Sequence, residues 1–177
     1  MRTFLFTIIL YVSSSTISAQ KTALETSGDI LQFALPATAL ASTFIYTGDD
    51  KPHWQFLKSY AVALITVHSL KRIIDKPRPN GGHYSFPSGH TASSFSGAAF
   101  LQRRYGWKIG IPAYLVASFV GYTRIKARKH DIYDVIGGAS IAIASNLLFV
   151  KPNKNQSLSL QLLKVENYYL VGCSYRF

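Results

Sequence analysis

Phe86-Pro87-Ser88-Gly89-His90 runs straight into Thr91-Ala92-Ser93-Ser94-Phe95-Ser96-Gly97-Ala98-Ala99-Phe100-Leu101, and the join between the two stretches decides how the chain folds. Ser88, held behind a proline, is a helix N-cap residue whose side chain can accept a hydrogen bond from an amide of the helix it opens. A helix start offers unpaired N–H groups to an anion, and Gly89 lets that anion approach without a Cβ in the way. His90 falls in the first turn, facing the same anion. The residues that follow are small, uncharged and apolar enough to be buried.

Two basic clusters bracket this stretch. Lys71-Arg72-Ile73-Ile74-Asp75-Lys76-Pro77-Arg78-Pro79 precedes it, and Arg124-Ile125-Lys126-Ala127-Arg128-Lys129-His130-Asp131-Ile132-Tyr133-Asp134 follows it. Phosphoryl transfer spreads negative charge over the equatorial oxygens, so its catalysis is mostly positioning and charge stabilisation. Arg78 and Arg124 bring forked, permanently charged donors to that task, and Lys71 a point charge. Arg72, Lys76, Arg128 and Lys129 read as a solvated face. His130 and Asp134 are four apart, so on a helix beginning near His130 they share a face. The carboxylate then accepts from one ring nitrogen and leaves the other bare and nucleophilic. Asp131 reads as a cap or a solvated residue, and His53, His68 and His83 as structural or surface histidines.

The 177 residues form one domain. Nineteen Lys and Arg against eight Asp and Glu give +11, which suits an anionic partner. The basic residues are interrupted by apolar stretches and make no continuous stripe, which argues against nucleic acid. The single cysteine, Cys173, allows neither an internal disulfide nor a cysteine metal cluster.

Residues 1–19 have an early Arg2, an apolar run and small residues up to Ala19, the layout of a signal peptide or of a marginal first transmembrane helix. Uncharged or weakly polar stretches follow at Ile30–Tyr46, Tyr60–Leu70, Thr91–Leu101, Ile109–Thr123 and Val135–Val150. The expected fold is all-α, a bundle of about five to six transmembrane helices over residues 20–155. A soluble helical bundle is the competing architecture. If Gln20 lies outside the inner membrane, all three motif stretches emerge on that outer, periplasmic side. The loop Gln102–Lys108 and the segment from Lys151 then fall inside, as the positive-inside rule asks. Residues 156–177 alternate with period two on both sides of Glu166-Asn167, which predicts a β-hairpin.

The spacings Lys-x6-Arg-Pro, Pro-Ser-Gly-His and Arg-x5-His-x3-Asp, in that order, resemble the three signatures of the type 2 phosphatidic acid phosphatase (PAP2) superfamily. The resemblance implies a phosphatase acting on a lipid phosphate or diphosphate. In it Lys71, Arg78, Ser88, Gly89 and Arg124 hold the phosphate and His90 is the general acid. His130 is the nucleophile that becomes a phosphohistidine, and Asp134 orients it; neither metal nor other cofactor is implied. The third signature usually begins Ser-Arg and here reads Thr123-Arg124, which keeps the hydroxyl. The short link between Pro79 and Pro87 implies an open mouth at the membrane surface. The same superfamily contains vanadium haloperoxidases, an oxidoreductase alternative, and a non-catalytic phosphate or lipid binder is a third.

Overall fold

The computed structural model describes residues 2–45, 51–152, 158–165 and 168–175. Five helices come in order, α1 (Arg2–Ile45), α2 (Pro52–Ile74), α3 (Gly89–Tyr105), α4 (Trp107–Lys126) and α5 (Ile132–Phe149). Two antiparallel strands follow, β1 (Leu158–Val165) and β2 (Tyr168–Tyr175), with Leu158 opposite Tyr175 and Val165 opposite Tyr168. Residues 46–50, between α1 and α2, and the polar pair Glu166-Asn167, expected between the strands, lie outside the described residues.

α3 is the central helix, and its sequence explains why. Ser88 caps it by accepting from the Thr91 amide, and its small side chains let the other helices close in. Thr91, Ala92, Ser96, Ala98 and Phe100 have no exposed surface. Buried hydroxyls need partners, and these find them inside the helix: Ser96 Oγ donates to Ala92 O at 2.8 Å and Ser94 Oγ to His90 O at 3.0 Å.

α3 meets the backbone of α1 at Leu35 and Pro36. A Cβ on Gly97 would stand 2.7 Å from the Leu35 carbonyl carbon and 2.8 Å from Pro36 N, so only glycine lets these backbones touch. Pro36 has no N–H and frees the Gln32 carbonyl within the helix. Ser93 Oγ of α3 donates to that carbonyl at 2.7 Å, and Tyr60 OH of α2 meets the same hydroxyl at 2.8 Å. The proline interruption is thus answered by a neighbouring serine, as buried helices require.

Three sequence expectations change. The apolar stretch beginning at Ile30 does not start a helix of its own, because α1 runs unbroken from Arg2 to Ile45. The loop Gln102–Lys108 shrinks to Gly106, whose φ of 85° turns α3 into α4. Arg103 and Arg104 consequently belong to the last turn of α3 and are buried, where they serve the end of α5. Arg103 Nε donates to Val150 O and its Nη2 to Leu147 O at 3.4 Å, while Arg104 Nη1 donates to Lys151 O at 3.3 Å. Two of the charges counted toward membrane orientation are therefore partners for helix-end carbonyls.

Candidate active site

The end of α2, the start of α3, the end of α4 and the start of α5 meet at one end of the bundle, together with the loop 75–88. A cleft of about 510 Å³ opens there, and Lys71, Arg78, Gly89, His90, Arg124 and His130 all line it. Six of the eight residues singled out in the sequence therefore face one space. Ser88 and Asp134 stand behind it, both without exposed surface.

The loop positions the first two cations. Lys71 Nζ donates to the carbonyls of Tyr84 (2.8 Å) and Ser85 (3.2 Å), and Arg78 Nε donates to His83 O (3.0 Å). Each side chain keeps further N–H groups for a ligand. Burial, and then the neighbouring Arg78 charge, lower Lys71 to about 8.

Ser88 fulfils the N-cap role, but its own amide donates to Asp134 O at 2.9 Å. That amide ties α3 to α5 and is not among the N–H groups left to meet an anion. The cap takes the Thr91 amide, leaving those of Gly89 and His90 at the helix start beside the cleft. A Cβ on Gly138 would overlap the Ser88 carbonyl, so α5 presses on the capping turn itself.

His130 does not begin a helix. α5 starts at Ile132 with Asp131 as its N-cap, in a reciprocal capping box with Asp134: Asp134 N donates to Asp131 Oδ1 and Asp131 N to Asp134 Oδ2, both at 3.0 Å. His130 still reaches the carboxylate, with Nδ1 3.4 Å from Asp134 Oδ2. Burial, then the charges of Lys71 and Arg78, push His130 down to about 4. The imidazole is therefore neutral at neutral pH. With Nδ1 turned to the carboxylate, Nε2 carries the free lone pair.

The structure adds residues that the motifs did not announce. Ser85 is fully buried; its hydroxyl donates to Asp134 Oδ2 and lies 3.4 Å from His130 Nδ1. Lys76, read as solvated, bridges Asp131 Oδ2 (2.5 Å) and Asp134 Oδ1 (2.8 Å). Lys129, also read as solvated, pairs with Glu25 Oε1 of α1. Arg72 and Arg128 are exposed, as expected. Arg124 is fully buried and donates from Nη1 to Asp29 Oδ1 at 2.7 Å, from Nη2 to Glu25 O at 2.7 Å and from Nε to Thr123 Oγ1 at 3.1 Å. His68 lines the cleft beside Phe33, Tyr60 and Leu64, whereas His53 stacks on Phe44 and His83 sits near Asp75. Phe33 and Leu64 were legible only as members of apolar stretches, and Glu25 and Asp29 only as charges before one.

The PAP2 superfamily matches residues 52–156. The lipid A 4'-phosphatase of Helicobacter pylori is 28% identical over 87% of this chain and 85% of its own length. The lipid A 1-phosphatase of Porphyromonas gingivalis is 34% identical over 56% of this chain, which covers only 24% of that longer relative. Among solved structures, Aquifex aeolicus LpxE superposes with a TM-score of 0.64 at 24% identity, covering 75% of this chain and 86% of that one. A transmembrane PAP2-type phosphatidylglycerolphosphate phosphatase of Bacillus subtilis gives 0.55 at 21% identity, over 82% and 91%. At those identities the two structures speak for the fold.

Proposed function

Since the chain belongs to the PAP2 superfamily, we propose that it is a phosphatase acting on a membrane lipid phosphate or diphosphate, through a phosphohistidine on His130 and without metal. The observation that carries this reading is the convergence of Lys71, Arg78 and Arg124 on a cleft that also holds His90 and a neutral His130 backed by Asp134. The cations and the Gly89 and His90 amides neutralise the phosphoryl oxygens. His130 Nε2 forms its bond to phosphorus as the bond to the leaving oxygen breaks, and His90 supplies that oxygen's proton. Positive charge then developing on the His130 ring is balanced by Asp134, which Ser85, Lys76 and the Asp131 amide hold in place. Water attacks phosphorus in the second step, gives a proton to His90 and releases His130.

A lipid substrate is supported by the outside of the bundle. Ile30, Phe33, Ile65, Leu115, Ile136 and Leu148 are all more than half exposed, whereas Ala and Ser fill much of the interior beside the apolar Phe56, Val67, Phe100 and Val120. That exterior suits a protein whose flanks meet hydrocarbon. Among the described residues α5 is the one helix long and apolar enough to cross a membrane, at 18 residues or ~27 Å. The apolar wall of Phe33 and Leu64 leads from the cations toward this exterior. Because relatives are lipid A phosphatases, lipid A 1- and 4'-phosphates head the candidate substrates, at the periplasmic face of the inner membrane. The test is phosphate release from lipid A phosphates, phosphatidate, phosphatidylglycerol phosphate and undecaprenyl diphosphate, with and without EDTA. Turnover that EDTA abolishes and magnesium or zinc restores would contradict the histidine mechanism.

A further inference from the structure

Asp29 is a second carboxylate at the site, contributed by α1. Its Oδ1 stands 2.8 Å from His90 Nε2 and 2.7 Å from Arg124 Nη1, joining the two groups that flank the cleft. The approach depends on Gly28, where a Cβ would overlap Thr123 Oγ1 and lie 2.7 Å from Arg124 Nη2. Arg124 donates once from each nitrogen to Asp29, Glu25 and Thr123, so two of its five N–H groups remain for a phosphate. The carboxylate thus fixes the guanidinium without exhausting it.

We propose that Asp29 is the positioning residue for His90: it accepts the hydrogen bond from Nε2, sets the ring beside Arg124, and leaves Nδ1 as the atom that exchanges a proton with substrate and water. This rests on the phosphatase reading given above. In the first step the protonated ring gives its Nδ1 proton to the leaving oxygen as the P–O bond breaks and the His130–phosphorus bond forms. The neutral ring, still donating from Nε2 to Asp29, then takes a proton from the attacking water on Nδ1 as the His130–phosphorus bond breaks. Atoms and charge return to the start, and Asp29 stays ionised throughout.

The surroundings make such a partner necessary. His90 is faced by Lys71 and His68 from α2, Arg78 from the loop, Arg124 from α4, and Lys129 and His130 after it, with Glu25 and Asp29 from α1. His90 precedes the apolar stretch beginning at Thr91. Burial and then the Arg124 charge lower its affinity for a proton, and the Asp29 hydrogen bond is the foremost influence raising it. His90 stands below the ordinary histidine value even so, and losing Asp29 would leave burial and the Arg124 charge unopposed and lower its affinity for a proton further.

Asp29→Asn in the full chain tests this with two readouts. The acid form of His90 is required, so kcat falls as pH rises through its pKa; losing the carboxylate lowers that pKa and moves the alkaline limb of kcat to lower pH. We expect that displacement, a fall in kcat of about tenfold or more at neutral pH with a smaller change in KM, and partial recovery in Asp29→Glu. NMR titration of His90 in the ligand-free protein should move in the same direction. An unmoved limb and an unmoved titration would overturn the proposal. So would tighter binding of inorganic phosphate with kcat unchanged, which would mark Asp29 as a mere occupant of the phosphate seat. If the wild-type protein releases no phosphate from any lipid, the phosphatase reading falls, and the His90 titration still decides the role of Asp29.

Discussion

Gly97→Ala tests the seating of α1 against α3, on which the place of Asp29 depends. The added Cβ would meet the Leu35 carbonyl carbon at 2.7 Å and Pro36 N at 2.8 Å, both backbone atoms that cannot rotate away. Ordinary contact begins near 3.4 Å, so α1 has to retreat by about 0.7 Å. Overpacking of this kind costs about 1–3 kcal/mol. The retreat also stretches the 2.7 Å bond by which Ser93 satisfies Gln32 O, worth ~1 kcal/mol. Asp29 lies two turns from Pro36 on the same helix and should move with it. Since misplacement by ~1 Å at a catalytic site costs on the order of 10²-fold, turnover should fall between about 10- and 10²-fold. The assay is phosphate release beside a thermal melt in detergent. Gly89→Ala is the contrast: its Cβ meets nothing nearer than 3.9 Å, so the melt should stay put while KM rises because the anion's approach is blocked. A Gly97→Ala protein with wild-type melting temperature and turnover would refute the close α1–α3 contact.

Further outcomes follow from the same geometry. Lys76→Met removes a charged donor from the buried Asp134 carboxylate and should cost about 1–3 kcal/mol and lower kcat more than it raises KM, read by melting and steady-state kinetics; unchanged values would return Lys76 to the solvated face. Because the neutral form of His130 is the nucleophile and its pKa is depressed to about 4, kcat/KM should persist below pH 6.5 and decline only as pH falls toward 4. An acid limb near 6.5 would show an unperturbed imidazole. For orientation, in a Cys173→Ser background, Asn80→Cys should react with a membrane-impermeant thiol reagent in intact spheroplasts and Lys108→Cys should not. The opposite pattern would put the cleft on the cytoplasmic side.

How much was legible in the sequence depends on how local the signal is. Ser88 could be read as an N-cap because capping is decided within four residues, and Lys71, Arg78, Arg124 and His130 because their spacing is fixed by the helices they end or precede. The capping box between Asp131 and Asp134 was half visible: Asp131 suggested a cap on a helix beginning near His130, but Asp134 was read only as the partner of the histidine and not of the cap. Lys76, Ser85 and Asp29 were missed for one physical reason. Each acts through a partner distant in the chain, Asp134 for the first two and His90 with Arg124 for the third, and no periodicity records such a pairing. Arg103 and Arg104 were legible only as loop charges, because only the fold reveals that these side chains are buried against the α5 terminus.

The central claim is that His130 takes the phosphoryl group. The most direct measurement is a rapid quench, kept free of acid so that a phosphohistidine survives, with phosphate-labelled lipid substrate and peptide mapping of the trapped protein. Label on the peptide containing His130 in the wild type, none in His130→Ala, and more accumulating in variants slow in the water step is the predicted result. Full phosphate release by His130→Ala, or label on another residue, would contradict it.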